Sequence, residues 1–303
     1  MNKNYKQWNL EHYVWDDFEH LESLWNNQTG VHTVRYSDEE SDIDFLYKDA
    51  TKMEEIKVQP IFFTAALNRK PGMQGPFFTG NGLAKRAEIP LLAFADASLD
   101  EDPTLSLSWY RGANKSRFNR HLVQVIEFLC QRLEREPLFI GGSGGGFTAL
   151  ATANDYKSKS SALVWNPQTD IYNYNKKFVQ NFLRSQYKLG NGSFHRPDWI
   201  DFCRIRTDKE SDTTVVGNFN PTKTRRLIYL QNQNDWHFRS HLQPFWDSIS
   251  TVPISVGKNF LTDEHLCYVS DFAEGHSAPP EALIRRLIVS LMNPDQVVSS
   301  IEY

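Results

Sequence analysis

A serine inside a glycine cluster is the stretch of this chain best suited to covalent chemistry. Ser143 follows the apolar run 138–140 and has Gly141 two residues before it and Gly145 two residues after it. A serine on a sharp strand-to-helix turn needs small neighbours at these positions, because the strand and the helix approach each other closely. In that geometry the backbone N–H of Gly144 points from a helix N-terminus toward a developing negative oxygen. The pattern predicts a nucleophile and half of an oxyanion hole.

A serine hydroxyl needs a base to take its proton, and an imidazole base needs a carboxylate to hold its tautomer. Asp235 stands at the polar end of a predicted strand, and His276 lies in a loop directly before the last helix. The order Ser, Asp, His along the chain is similar to that of the α/β-hydrolase fold, in which a Gly-x-Ser-x-Gly turn carries the nucleophile. We predict that Ser143, Asp235 and His276 act together. Asp271 and then Asp170 are the alternatives for the acid, and His265 is the alternative for the base.

Two further groups of residues are candidates for contacts with a substrate. A second oxyanion donor is expected after the strand that ends at Phe63, where the backbone N–H groups of Ala65 and Ala66 are the candidates. Tryptophans near predicted strand ends can stack on a sugar ring, with packing in the core as the alternative. These tryptophans are Trp109, Trp165 and Trp236.

The same motifs allow other interpretations. A glycine and serine cluster can be a flexible linker, but an apolar run precedes this one and a helix-compatible run follows it. The stretch 144–149 also satisfies a degenerate dinucleotide-binding fingerprint, with Asp170 about 20 residues further on. His237 and His241 have the spacing of two metal ligands on a helix, but no HExxH glutamate accompanies them. We therefore predict no metal site.

Composition and charge favour an ordinary globular protein. The chain has 303 residues, of which 40% are hydrophobic, and this is enough for one large α/β domain or two smaller ones. It carries 33 basic and 37 acidic residues, a net charge of −4, without a dense Lys/Arg cluster. Nucleic acid is therefore not an expected partner.

The cysteines and the N-terminus bear on location. Cys130, Cys203 and Cys267 are far apart and form no CxxC pair, so free thiols in a reducing compartment are expected. The first residues contain no apolar core of a signal peptide, and no segment approaches about 18 consecutive apolar residues. We predict a cytoplasmic protein without a membrane span.

Strand and helix patterns alternate along most of the chain, which favours an α/β fold. A helix that Ser116 can cap leads into the strand before Ser143. The other expected core elements are strands at 58–67, 90–96 and 161–165, a strand from Arg226, a last strand between Pro253 and Val269, and a closing helix after Pro280.

Two regions fall outside this alternation, within what we expect to be a single domain over 1–303. In residues 1–57, runs at 31–36 and 43–47 flank a polar turn and predict a β-hairpin. The hairpin is expected to open the main sheet; the alternative is a separate module for a complex or homo-oligomer. Residues 170–224 are expected to be a lid insertion between core segments 58–169 and 225–303, with ordinary surface helices as the alternative.

The three candidate side chains support a resemblance to a known superfamily. Ser143 in Gly-x-Ser-x-Gly, Asp235 after its strand and His276 before the terminal helix resemble the α/β-hydrolase superfamily over residues 58–295. The resemblance implies a mostly parallel central sheet with helices on both faces. Three segments, at 94–98, 107–112 and 229–235, more distantly resemble bacterial serine acyl-transfer proteins, which include capsular-polysaccharide O-acetyltransferases and the glycan acetyltransferase of accessory secretion systems.

The function that this resemblance implies is acyl transfer through a serine ester. The expected activity is that of an O-acetyltransferase or esterase acting on a bacterial glycan or a small ester. Such chemistry needs no bound cofactor, and acetyl-CoA is a candidate acyl donor consumed as a substrate. Two alternatives from other classes are a non-catalytic scaffold in a secretion or polysaccharide-synthesis complex, and a nucleotide-binding protein.

Overall fold

A ten-stranded sheet organises the residues that the computed structural model describes, which are 3–36, 41–50, 55–112, 118–208 and 212–303. The strands are β1 (His12–Trp15), β2 (Gly30–Val34), β3 (Ile43–Lys48), β4 (Val58–Phe63), β5 (Leu91–Phe94), β6 (Glu136–Gly142), β7 (Ser161–Trp165), β8 (Arg226–Asn232), β9 (Gly257–Thr262) and β10 (His265–Ser270). Their order across the sheet is β1-β2-β3-β5-β4-β6-β7-β8-β10-β9. Strand β3 is antiparallel to β2 and β5, and β9 is antiparallel to β10, while the other neighbours are parallel. The sheet is mixed and mostly parallel, as predicted.

Helices cover both faces of this sheet. They are α1 (Phe18–Leu24), α2 (Asn81–Ala87), α3 (Ala97–Glu101), α4 (Phe118–Leu133), α5 (Ser143–Asp155), α6 (Lys176–Tyr187), α7 (Asn191–Phe194), α8 (Trp199–Thr207), α9 (Gln243–Ile249) and α10 (Glu281–Leu291). Apolar side chains of α1, α4, α5, α6 and α9 belong to the core on one face. Those of α2 and α10 belong to the core on the other face.

The connection from α4 through β6 to α5 positions the predicted nucleophile. Helix α4 forms because its apolar residues recur at threes and fours, and Leu122, Val125 and Leu129 are among those buried. Its predicted cap, Ser116, lies outside the described residues. Strand β6 is apolar from Leu138 onward and buried, as expected for a parallel strand covered on both faces. The chain then turns directly from β6 into α5, which begins at Ser143.

The structure confirms one sequence expectation at the edges of the sheet and corrects another. Strands β2 and β3 form the predicted antiparallel pair and belong to the main sheet. The single strand expected between Pro253 and Val269 is wrong, because two antiparallel strands, β9 and β10, occupy this stretch. Strand β9 is an edge strand whose residues alternate between partly buried and exposed, so it lacks the continuous apolar run that marks the central strands.

In the described part of 170–224 the α-helices are α6, α7 and α8, and short 3₁₀ helices lie at Ile171–Asn173 and Pro221–Lys223. The segment is anchored where it begins, because both carboxylate oxygens of Asp170 accept from Arg204 Nη2 at 3.0 Å. Cationic side chains lie over aromatic rings, with Arg204 on Tyr172 and Arg184 on Phe194. A lid function for this segment stays a prediction, as does the division into core, lid and N-terminal segment.

Cys130, Cys203 and Cys267 are buried free thiols, as their spacing predicted. Burial raises the pKa of the Cys130 thiol to about 12, so it does not ionise near neutral pH. Within the described ranges, none of the helices is long and apolar enough to span a lipid bilayer.

Candidate active site

Ser143 lies on a strained turn at the carboxyl end of β6. Its φ angle is 51°, in the left-handed region that residues other than glycine rarely adopt. The turn is tight, because a Cβ atom at Gly141 would collide with the backbone of Gly145, and one at Gly145 with the carbonyl oxygen of Phe63. The glycines on both sides of the serine are therefore required by the close approach of β6, α5 and β4, as the sequence pattern predicted.

Three side chains that are distant in the sequence form a continuous line of hydrogen bonds. Ser143 Oγ lies 2.9 Å from His276 Nε2, and His276 Nδ1 lies 2.6 Å from Asp235 Oδ2. An ionised carboxylate only accepts, so Nδ1 of His276 carries the proton and Nε2 is free to accept the serine hydroxyl. Asp235 is 3% exposed. Burial would raise the pKa of Asp235, but hydrogen bonds from His237 and His276 lower it below its ordinary value.

Asparagine side chains hold the loop that carries His276. Asn232, the last residue of β8, donates from Nδ2 to the backbone carbonyls of Ala273 and, at 2.8 Å, Gly275. Asn166, directly after β7, donates to the carbonyl of Ser277 at 2.7 Å. The two asparagines are joined because the backbone N–H of Asn232 donates to Asn166 Oδ1 at 2.7 Å. The position of the imidazole is thus set from the ends of two adjacent strands.

A second imidazole, that of His237, also binds Asp235. Its Nδ1 lies 2.8 Å from Asp235 Oδ1, and its ring stacks on that of His276 with centroids 4.0 Å apart. Burial lowers the pKa of His237, although the hydrogen bond to Asp235 acts in the opposite direction. A neutral His237 that donates from Nδ1 keeps the carboxylate charged and adds no positive charge beside His276.

The pair considered as metal ligands, His237 and His241, lies in this cluster. A π-helical turn, Phe238–Leu242, brings their ring centroids to 4.7 Å. The described residues that offer ligand atoms close enough for a metal ion are instead Asp235, His237 and His276, within 4.8 Å of one another. Both Nδ1 atoms stand at hydrogen-bond distance from the carboxylate, so a metal would have to displace the protons that hold the cluster together.

In addition to that of His276, the side chain of Gln168 contacts the serine. Its Nε2 donates to Ser143 Oγ at 2.9 Å, and its Oε1 accepts from the indole N–H of Trp109 at 2.6 Å. Trp109 is fully buried and packs edge-on against Phe182 of α6, with ring centroids 5.3 Å apart. This burial contradicts the predicted contact between Trp109 and a substrate, since the ring has no free face.

Of the predicted oxyanion donors, Gly144 directly follows Ser143 and Ala65 lines the cleft into which the serine opens. Gly144 is in the first turn of α5, where N–H groups have no intrahelical acceptor. After β4, the N–H of Thr64 donates to the Tyr110 hydroxyl. The next two N–H groups, those of Ala65 and Ala66, have no hydrogen-bond acceptor among the described residues. Ala65 lines the same cleft as Ser143, whereas Ala66 lines a neighbouring depression.

Ser143 and His276 open into a cleft of about 440 Å³. Trp165 lines this cleft beside the nucleophile, because its indole ring lies against Gly142. The other residues along the cleft are Phe62, Phe63, Ala65, Thr79, Gly80, Gly82, Leu83, Arg86, Ile140, Gly141, Asn166 and Ala278. Trp236 is 48% exposed and stacks on Tyr174, outside the lining of this cleft. A substrate contact for Trp165 or Trp236 stays a prediction.

Among the described residues, neither Asp271 nor His265 is hydrogen-bonded to Ser143 or His276. His265 begins β10, at the end of the strand away from the edge where Ser143 lies, and its Nε2 is 2.7 Å from the carbonyl oxygen of Thr224. Asp271 accepts a hydrogen bond from Asn234 at 2.9 Å. The dinucleotide-binding interpretation is not supported, because Asp170, its predicted acidic residue, is paired with Arg204. Gly146 is accounted for by packing, since a Cβ there would collide with Pro167.

Sequence reasoning missed Gln168, His237, Asn166 and Asn232 as parts of this site. A signal was available for three of them, because Asn166, Gln168 and Asn232 come at or directly after the carboxyl ends of strands, where parallel strands bring residues together. For His237, the available signal is its position two residues after Asp235. Its bond to that carboxylate depends on the turn that follows and is not visible in the spacing alone.

Comparisons with known proteins bear on the fold. No protein-family model matches the chain, and no curated protein sequence matches it. The capsule O-acetyltransferase of Neisseria meningitidis serogroup A superposes with a TM-score of 0.58 at 17% identity, covering 88% of this chain and 96% of that chain. A mutant of that enzyme in complex with CoA gives a TM-score of 0.59 at 16% identity, covering 88% and 97%. An acylaminoacyl peptidase from Pyrococcus horikoshii gives 0.54 at 12% identity, covering 93% of this chain and 44% of that chain.

These likenesses establish the fold class. The mixed, mostly parallel sheet with helices on both faces is the α/β-hydrolase fold, as the resemblance of the three candidate residues implied. The structural neighbours include a capsule O-acetyltransferase as well as a hydrolase of this fold. At these identities the likeness extends to the architecture alone.

Proposed function

We propose that this protein is a serine-dependent acyltransferase or esterase that works through an acyl-enzyme on Ser143. The observation that carries the proposal is the line of hydrogen bonds from Ser143 Oγ to His276 Nε2, 2.9 Å, and from His276 Nδ1 to Asp235, 2.6 Å. An imidazole in this position accepts the serine proton as the oxygen attacks, and the carboxylate stabilises the imidazolium that forms. The opening of the serine into a cleft supports the same function.

In the first half-reaction, Ser143 Oγ attacks the carbonyl carbon of an ester or thioester while its proton passes to His276 Nε2. The carbonyl oxygen becomes negative and is stabilised by the N–H groups of Gly144 and Ala65, for which the described residues provide no acceptor. Collapse of this intermediate breaks the bond to the leaving group. The leaving group takes the proton from His276, and the acyl group stays on Ser143.

In the second half-reaction, His276 takes a proton from an acceptor hydroxyl, whose oxygen attacks the serine ester. The new ester leaves, and Ser143 recovers its proton from His276. Water as acceptor gives an esterase, and a bound sugar hydroxyl gives a transferase. The indole of Trp165 beside the nucleophile is suited to contact a sugar ring.

The more specific form of the proposal is acetyl transfer from acetyl-CoA to a bacterial glycan or polysaccharide. The structural likeness to a capsule O-acetyltransferase, of which a mutant is described in complex with CoA, supports this choice of donor and acceptor class. Acetyl-CoA would enter as a substrate and leave as CoA. Residues 170–224 act as a lid in this proposal, and Phe182 of this segment packs on Trp109 beneath the serine.

The test of covalent catalysis is labelling of the purified protein with a fluorophosphonate, followed by intact-mass and peptide mass spectrometry. The expected result is one adduct on Ser143, absent in Ser143→Ala and retained in Ser193→Ala, which changes a partly exposed serine of α7. A folded wild-type protein that stays unlabelled would contradict the proposal and favour the scaffold alternative.

A second experiment separates transfer from hydrolysis. The protein is incubated with acetyl-CoA or p-nitrophenyl acetate, and an acetyl adduct on Ser143 is sought by mass spectrometry. Candidate glycans are then added, and acetylated glycan is measured against free acetate. Faster loss of the adduct with glycan, together with acetylated product, supports a transferase, while loss to acetate at an unchanged rate supports an esterase.

A further inference from the structure

Gln168 forms a contact with the predicted nucleophile that the mechanism above does not use. The side chain is fully buried, and its carboxamide lies between Trp109 and Ser143. Its backbone N–H also donates to the carbonyl oxygen of Ser143, at 3.1 Å. Both the main chain and the side chain of Gln168 are therefore bonded to Ser143, and the residue has little freedom to reorient.

Trp109 determines which end of the carboxamide faces the serine. An indole N–H only donates, so the group 2.6 Å from Trp109 Nε1 has to be the amide oxygen. The NH₂ group then has to face Ser143 Oγ, which lies 2.9 Å away. Since this group only donates, the serine hydroxyl accepts from Gln168 and turns its own proton toward His276 Nε2.

We propose that Gln168 is a further catalytic residue, which donates a hydrogen bond to the nucleophilic oxygen, and that Trp109 is a positioning residue that acts through it. The inference rests on the proposed function. Negative charge grows on Ser143 Oγ as its proton moves to His276, and it grows again when Oγ leaves the acyl group in the second half-reaction. A fixed donor at 2.9 Å stabilises both transition states more than the resting hydroxyl, so it raises kcat without tightening substrate binding.

The first test is Gln168→Met, which keeps the length of the side chain and removes the donor. We expect fluorophosphonate labelling of Ser143 to slow by about 10- to 100-fold, the range for the loss of one hydrogen bond to a charged group. With p-nitrophenyl acetate, kcat should fall while KM stays close to the wild-type value. If Gln168 served only in packing, Gln168→Met would preserve that role, and the labelling rate and kcat would both stay at their wild-type values.

The second test is Trp109→Phe, which frees the amide to turn its oxygen toward the serine and accept the proton meant for His276. Labelling should slow by about 10-fold, and the double variant with Gln168→Met should be little slower than Gln168→Met alone, because both changes act on one hydrogen bond. Trp246→Phe is the matched control. It removes another indole hydrogen bond, from Trp246 to Val252 O at 2.6 Å in α9, and should leave labelling unchanged.

The outcomes are distinguishable. If Gln168→Met melts near the wild-type temperature and is labelled within about twofold of the wild-type rate, the inference is wrong while the proposed function stands. If Gln168→Met does not fold, Trp109→Phe decides, and labelling equal to that of Trp246→Phe would overturn the inference. A folded wild-type protein without labelling would overturn both the inference and the proposed function.

Discussion

Two buried aspartates at the same edge of the sheet have opposite surroundings. Asp235 follows β8 and Asp100 lies in α3 after β5, and both strands have the direction of the parallel core strands. Their exposures are nearly equal, 3% for Asp235 and 5% for Asp100. A carboxylate removed from water to this extent is costly unless other groups compensate. The two regions therefore allow the effect of burial to be separated from the effect of hydrogen bonding.

Asp235 accepts three hydrogen bonds, from the backbone N–H and Nδ1 of His237 and from Nδ1 of His276. Neither oxygen of Asp100 has a hydrogen-bond partner among the described residues, and Lys3 Nζ is 4.0 Å away. Burial raises the pKa of Asp100 to about 7 despite the charge of Lys3, whereas the pKa of Asp235 is lowered. Burial, together with the negative charges of Asp44 and Asp96, thus favours the neutral form of Asp100, whereas ordered donors keep Asp235 charged.

Of the substitutions at these two aspartates and their partners, Asp235→Asn is expected to have the largest effect on activity. The amide can present a donor to His276 Nδ1, which favours the tautomer that cannot accept the serine proton. We expect kcat and the labelling rate to fall by about 10⁴-fold. The control is Asp271→Asn, which changes the alternative acid and should stay within a few-fold of wild type. A larger loss in Asp271→Asn than in Asp235→Asn would assign the acid to Asp271.

A smaller effect is expected from changing one donor to Asp235. His237→Phe keeps a ring on His276 but removes the Nδ1 donor, and we expect labelling to slow by about 10-fold, the value of a hydrogen bond to a charged group. His237→Asn can restore a donor at a similar position and should recover part of this loss. The measurement is the labelling rate of both variants. Equal rates in wild type and His237→Phe would show that Asp235 does not depend on this bond.

The third expected effect concerns the stability of the Asp100 region. With a pKa of about 7 in the folded protein and about 3.9 when unfolded, Asp100 takes up a proton on folding between these values. The free energy of unfolding should therefore decrease as the pH rises from 4 to 7, by at most about 1.4 kcal/mol per pH unit from this group. The side chain at position 100 of Asp100→Asn takes up no proton on folding. The free energy of unfolding of this variant should therefore increase relative to that of the wild type as the pH rises from 4 to 7.

Urea unfolding at pH 5 and pH 8 measures this difference. Asp247→Asn, which changes an exposed aspartate of α9, controls for the general effect of removing one negative charge. If Asp100→Asn and Asp247→Asn show the same dependence on pH, the contrast between the two buried carboxyl groups is wrong.

Much of the architecture could be predicted from local patterns. Apolar runs predicted the buried strands β4 and β6, and periodic apolar residues predicted helix α4. The glycines around Ser143 predicted the tight turn between β6 and α5. The structure also brings together the three predicted side chains, since polar residues at the ends of parallel strands meet at one edge. These features depend on short stretches of sequence, and their predictions need no knowledge of strand order.

Features that depend on the neighbours of each element were not predictable. Gln168 reaches Ser143 because β7 lies beside β6, and Asn166 meets Asn232 because β7 also lies beside β8. Trp109 was expected near a substrate, and the ring is instead covered by α6, an element about 70 residues later whose packing no local pattern indicates. In each case the strand order or a distant helix determines the role.

The hold on the His276 loop has a consequence for how this protein can change. Asn166 and Asn232 donate hydrogen bonds to the backbone carbonyl oxygens of residues 273, 275 and 277. These oxygens are present whichever side chains the three residues carry. Substitutions of exposed side chains in this loop, such as that of Glu274, should therefore leave these hydrogen bonds and the position of the imidazole unchanged. Sequence changes should be tolerated more readily here than at Asn166 or Asn232.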